Sequence, residues 1–168
     1  YRVIETVLAS RHPYHAGQYW EGSDDHHAAY AALAQMDLTD FAERDVRTLS
    51  GGERQRAAIA ALLAQDTPLL LLDEPANALD LAHQISVMRL LGYLCREKKK
   101  TVVMVGHDLN LAYHVASHAL LLMKDGAWCA GTVAEMMQAP LLSECLGYPI
   151  EVLAHHNRRI FLPLQDAM

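Results

Sequence analysis

Leu49-Ser50-Gly51-Gly52-Glu53-Arg54-Gln55-Arg56 and, about one helix later, Leu69-Leu70-Leu71-Leu72-Asp73-Glu74-Pro75 are the stretches whose reading decides the fold. Ser50 with Glu53 has the spacing of a capping box, in which the serine hydroxyl accepts from a first-turn amide and the glutamate reaches back to the cap. A helix therefore starts here. Gly51 and Gly52 carry no side chains over the first-turn amides, and the helix dipole puts about half a positive charge at that end, so an anion such as a phosphate fits. Residues 57–64 are rich in strong helix formers, and Gln65-Asp66-Thr67-Pro68 stops them. The four leucines that follow are a short, wholly apolar run of the kind found in strands buried on both faces of a parallel sheet. In open α/β sheets ligands sit beyond the carboxyl ends of the strands, which puts Asp73 and Glu74 at the mouth of a site. Two adjacent acids there suit a magnesium ion and a water-activating base.

In this order and spacing the residues resemble the signature motif and Walker B strand of the ATP-binding subunits of ABC transporters. Leu49, Ser50, Gly51 and Gly52 with Gln55 match the signature, residues 69–74 the Walker B strand with its catalytic glutamate, and Asn77-Ala78-Leu79-Asp80 the D-loop. His107, just past the apolar run 101–105, stands where that family keeps its switch histidine. The resemblance implies an α/β fold, a partial P-loop NTPase of the ABC nucleotide-binding type with a small helical subdomain. Residues 1–65 would form the helical subdomain with the signature helix, and residues 66–168 the C-terminal part of the core.

The same resemblance implies ATP and Mg2+ as ligands. Leu49, Ser50, Gly51, Gly52 and Gln55 would face nucleotide across a head-to-tail dimer, with Ser50 and Gly52 on the γ-phosphate. Asp73 would hold the metal, Glu74 would polarise the attacking water, His107 would sense the γ-phosphate, and Asp80 would couple the two sites. The implied partners are a second ATP-binding subunit, transmembrane permease subunits and, indirectly, a substrate-binding protein. The implied location is the cytoplasmic face of the membrane.

Composition narrows the field independently. The chain has 168 residues, the size of one domain, and 52% hydrophobic residues can build a core. A formal charge of -6 and a pI near 5.9 argue against a nucleic-acid surface. Arg96 with Lys98-Lys99-Lys100 reads as the solvated end of a helix, where cations favour the dipole. Cys95, Cys129 and Cys145 have neither disulfide-framework nor zinc spacing, which fits a reducing cytosol. No apolar run nears the roughly 18 residues of a membrane span. No Gly-x-x-x-x-Gly-Lys-Ser/Thr occurs, nor any Gly-Lys pair; in phosphate loops the amides of that motif cradle the phosphates and its lysine neutralises them. Because Tyr1 falls inside sequence that reads as structured, the expectation is that the N-terminal Walker A half and a glutamine-bearing loop precede it.

Before the signature, residues 1–9 read as a helix with Val3, Val7 and either Ile4 or Leu8 on one stripe. Arg11-His12-Pro13-Tyr14 breaks it, residues 17–25 form a polar loop, and Ser23 is placed to cap an alanine-rich helix over 24–36 with Ala29, Leu33 and Met36 inward. Residues 1–48 thus resemble the helical subdomain. The Arg-His-Pro-Tyr turn is similar to one in iron-chelate and cobalamin import ATPases, with Ser10 in place of its glycine. Beyond Asp80, the spacing predicts a helix to Arg96 burying Ile85, Met88, Leu91 and Cys95, then a buried strand over 101–105 in a parallel β-α-β unit. A hairpin follows around Lys124-Asp125-Gly126. Thr132 with Glu135 caps a short helix, Pro140 opens another at its first position, and a last hairpin turns at His155-His156-Asn157.

Competing chemistry finds less support. His114 and His118 are four apart, His118 at a predicted helix end, but no third ligand or His-Glu-x-x-His pattern accompanies them. No Gly-x-Ser-x-Gly elbow exists for a serine hydrolase. Within the superfamily, a chromosome-maintenance member would insert a long coiled coil before the signature, and the residues before Leu49 carry no heptads. A translation factor remains open, and Glu74 speaks against an inactive partner. The favoured reading is ATP hydrolysis powering import of an iron-siderophore, haem or cobalamin.

Overall fold

The computed structural model describes residues 1–12, 22–156 and 158–164; Pro13-Tyr14, residues 17–21 of the polar loop and Asn157 of the last hairpin lie outside the described residues. The chain divides into two units, Tyr1–Val105 and Gly106–Met168.

In the first unit the apolar stripe near the N-terminus forms α1 (Val3–Ala9), which buries Val3, Ile4, Val7 and Leu8 together. Helix α2 (Ser23–Gln35) starts at Gly22, not at the serine expected to cap it. Ser23 is the first helical residue, and Asp25 takes over the cap by accepting from the Gly22 amide at 2.9 Å. The Asp25 carboxylate also receives the Arg11 guanidinium at 3.0 Å, and Arg11 donates to the Ala64 carbonyl at 2.9 Å. Arg11, in a largely buried ion pair with Asp25, thus ties the turn after α1 to α2 and to the end of α3. Ala29, Leu33 and Met36 face inward as their spacing predicts.

Helix α3 (Gly51–Gln65) packs Ala57, Ile59, Ala60 and Ala64 into this bundle, and Asp66, at φ +52°, ends it in the left-handed conformation. Strand β1 (Leu69–Asp73) pairs in parallel with β2 (Thr101–Val105), in register from Leu69 opposite Thr101 to Asp73 opposite Val105. Helix α4 (Leu81–Arg96) makes the crossover.

In this chain the strands have one covered face, with Leu70 1% exposed and Leu71 67% and Val105 63% exposed on the opposite face. Two expectations are corrected here. Helix α4 buries Val87, Met88, Leu91 and Leu94, while Ile85 and Cys95 are exposed. Two stripes sharing Met88 and Leu91 both satisfy helical spacing, and packing selects one. Lys100 is no solvated terminus either, since its ammonium donates to Asp66 Oδ1 at 2.7 Å and to the Thr67 carbonyl at 2.8 Å.

The second unit opens with Asp108 capping α5 (Leu109–Val115) through the Leu111 amide at 2.9 Å. Strands β3 (His118–Leu122) and β4 (Trp128–Thr132) form the expected antiparallel hairpin, with Gly126 at φ +88° and Asp125 accepting from the Ala127 amide at 2.9 Å. His118 opens β3 and is not at a helix end. The Thr132–Glu135 capping box opens α6 (Val133–Met136). Helix α7 (Ala139–Leu146) carries Pro140 at its second position, one later than expected, and closes at Gly147, φ +68°. Strands β5 (Ile150–His155) and β6 (Arg158–Pro163) pair antiparallel. The core of this unit is Val133, Met137, Leu142 and Phe161, with the Tyr113 ring edge-on to Phe161 at 5.2 Å.

Asn110 holds β6 to α5 by bonding both backbone groups of Phe161, donating to its carbonyl at 3.1 Å and accepting from its amide at 2.9 Å. Asn110→Ala leaves both groups without that partner. The expected outcome is a loss of about 1 to 3 kcal/mol in this unit with faster exchange at the Phe161 amide, read by denaturant-dependent hydrogen exchange.

Candidate functional site

The first unit brings together two stretches far apart in the chain. Strand β1 ends at Asp73, whose side chain is exposed beside Val105 of the neighbouring strand. The next residue, Glu74, adopts φ +45°, a left-handed backbone that costs a residue with a Cβ about 1 to 3 kcal/mol. Its amide donates to the Val105 carbonyl at 2.9 Å, and its carbonyl accepts from the Asn77 amide at 3.0 Å. Its carboxylate accepts from Asn77 Nδ2 at 2.8 Å. Pro75 is buried, Ala78 is again left-handed at φ +62°, and Asp80 caps α4 by accepting from the His83 amide at 3.0 Å.

The start of α3 lies against this turn. Ser50 and Glu53 make both bonds of the capping box: the Glu53 amide donates to Ser50 Oγ at 3.2 Å, and the Ser50 amide to Glu53 Oε2 at 2.6 Å. A Cβ on Gly52 would stand 3.1 Å from the Ala78 carbonyl oxygen, so only glycine lets helix and turn come this close without displacement. Gln55 donates its side-chain amide to the Pro75 carbonyl at 3.3 Å, and Gln84 of α4 donates to the Ala76 carbonyl at 3.3 Å. Two helices thus grip consecutive carbonyls of the turn.

Leu49 is 4% exposed and serves as a core anchor, Ser50 and Gly51 are exposed, and the Gln55 side chain is committed to the turn. Asp73 and Glu74 stand together at the strand end, and Asp80 is an exposed helix cap. His107 belongs to the second unit and is exposed, one residue before the Asp108 cap. Three polar residues of this region were not singled out individually in the sequence. Asn77 follows the glutamate by three residues, His83 follows the Asp80 cap by three, and Gln84 lies one turn into α4. For the first two, the three-residue offset from an acid was the available signal.

Electrostatically, the Ser50 amide and then its hydroxyl hold the Glu53 carboxyl below its ordinary value. The His83 amide and then its imidazole do the same for Asp80. Gly51 and Gly52 occupy first-turn positions whose N–H groups have no intrahelical partner, a surface that suits an anion. Asp73 offers an exposed carboxylate oxygen, the donor type a hard divalent cation takes.

The ABC transporter family model matches residues 3–77. An inward-facing ABC transporter provisionally assigned to the metal-chelate type is 32% identical and superposes with a TM-score of 0.87, over 98% of this chain and 67% of that one. The chain belongs to the ABC transporter family. It has part of the fold of the family's P-loop ATPases. Among relatives, the petrobactin import ATP-binding protein of Bacillus anthracis is 42% identical over 142 residues, 84% of this chain and 52% of that protein. A dimeric ATP-binding cassette bound to ADP and phosphate is 32% identical with a TM-score of 0.68, over 79% of this chain and 56% of that one. The chain spans about half the length of the curated ABC relatives it matches. Among the described residues no helix is long and apolar enough to cross a membrane.

The capping box makes an acid-dependent prediction. Because the folded-state pKa of Glu53 is lowered, its contribution to stability is complete above the unfolded value of about 4.3 and is lost as pH falls through the lowered folded value. Glu53→Gln removes that contribution. Denaturation midpoints measured between neutral pH and pH 2 should therefore fall less steeply below pH about 4 in the variant than in the parent.

Proposed function

We propose that the protein to which this chain belongs hydrolyses ATP to drive an ABC importer. The observation that carries this reading is the close seating of the glycine-opened start of α3 against the turn that holds Glu74. An anion site and a carboxylate pair then share one rigid support. Ser50, Gly51 and Gly52, positioned by Leu49 and Gln55, meet the γ-phosphate of a nucleotide whose phosphate loop belongs to a second ATP-binding subunit. Asp73 holds Mg2+, which when bound neutralises phosphate charge. Glu74 accepts the proton of the attacking water, His107 senses the γ-phosphate, and Asp80 couples the paired sites. Catalysis of this kind is mostly positioning and charge stabilisation, with little covalent work for the protein.

The proposed partners are a second copy of the ATP-binding subunit, permease subunits at the cytoplasmic membrane face and, through them, a substrate-binding protein. The petrobactin relative and the metal-chelate likeness support an iron-siderophore cargo, with haem and cobalamin as related chelates.

In the ATP-hydrolysing assembly, Glu74→Gln should retain nucleotide binding and slow turnover by the 10² to 10⁴ typical of a lost general base. Steady-state phosphate release and nucleotide titration measure the two quantities separately, and unchanged turnover would remove Glu74 from the mechanism. The trans arrangement is tested with mixed dimers that combine a Ser50→Arg subunit with one changed at its phosphate-loop lysine. A shared site puts both lesions in one composite site and leaves the other intact. Crosslinking should then report ATP-dependent closure in the mixed dimer and in neither homodimer, whereas a cis arrangement abolishes closure in all three.

A further inference from the structure

We propose that Asn77 is a positioning residue for the Glu74 carboxylate, acting through its side-chain amide. This rests on the reading of Glu74 as the base that takes the proton of the attacking water. Asn77 Nδ2 donates to Glu74 Oε2 at 2.8 Å while Asn77 Oδ1 accepts from the Ala78 amide at 2.9 Å. The two bonds select one orientation of the amide. Rotated by half a turn, it would put an oxygen against a carboxylate that only accepts and an NH2 against a backbone N–H that only donates. The Ala78 bond therefore holds the donor aimed at Glu74.

The surrounding turn gives this bond its purpose. Glu74 has a left-handed backbone, and its side chain departs from a segment clamped by its own amide on Val105, by Gln55 on Pro75 and by Gln84 on Ala76. Those bonds act on the main chain and not on the carboxylate. The Asn77 amide acts beyond them, on the carboxylate itself. A base displaced by about an ångström from its water loses on the order of 10²-fold in rate, so a bond that restricts the carboxylate bears on turnover and not on nucleotide affinity. Asn77 touches neither phosphate nor water in this role.

Two substitutions separate orientation of the carboxylate from support of the turn. Asn77→Asp keeps an acceptor for the Ala78 amide, removes the donor and sets a like charge beside Glu74. Asn77→Ala removes both bonds. Phosphate release and ATP titration are measured on the complete ATP-hydrolysing assembly, with Glu74→Gln and the Glu74→Gln/Asn77→Ala double variant alongside. The expected result is a kcat lowered about 10- to 100-fold in both single Asn77 variants, nucleotide affinity within about twofold of the parent, and no further loss when Asn77→Ala is added to Glu74→Gln. A normal Asn77→Asp with an impaired Asn77→Ala would assign Asn77 to the turn and overturn the proposal. So would unchanged kcat in both, or a loss of the same factor in the Glu74→Gln background. If Glu74→Gln alone leaves turnover intact, the assignment of Glu74 fails first; if Glu74→Gln is slow and both Asn77 variants are normal, only the role of Asn77 falls.

Discussion

Gly52 approaches the carbonyl of Ala78 so closely that any Cβ would force one of them to move, and the geometry of the site follows from that approach. It seats the amino end of α3 on the turn after β1 and lets Gln55 reach the Pro75 carbonyl. The start of α3 and the turn that carries Glu74 are therefore mechanically one piece. A shift of the helix is a shift of the turn that carries Glu74. Two left-handed residues, Glu74 and Ala78, are kept in the same turn by hydrogen bonds from three elements. Strain of this kind persists only where the surroundings over-determine it.

The bundle behind the site is arranged to hold the helix still. Arg11 and Asp25 form an ion pair largely out of water and extend it to the carboxyl end of α3 through Ala64. Breaking such a pair strands a charge in a poor solvent, which makes it a stiff joint even where its net contribution is small. At the other end of α3 the capping box closes the amino terminus with two local bonds. The helix is pinned at both ends by polar contacts and along its length by alanines small enough for close packing.

The second unit depends on other devices. Its helices are short, and each start is fixed by a side chain or a proline: Asp108, Thr132 with Glu135, and Pro140. Asn110 acts as a piece of surrogate strand along β6, and the aromatic contact of Tyr113 with Phe161 supports the same point from the helix side.

Local chemistry was legible in the amino-acid sequence. Both capping boxes, the stop at Asp66 and the Asp-Gly hairpin were read correctly, because each rests on bonds between residues a few positions apart. The catalytic-looking acids could be located for the same reason, as they end an apolar run. What the sequence could not decide were choices between nearly equal local solutions. Four leucines do not say which face of the pleat is covered, and α4 had two helically spaced stripes to choose from. Lys100 looked like one of three equivalent lysines until the fold brought Asp66 and Thr67 to it. Asn77 and Gln84 gain their roles only when α3, α4 and the turn are packed together. Hydrogen bonds within a turn are written in the order of residues, whereas burial and long-range pairing depend on which surfaces meet, and tertiary structure alone decided that.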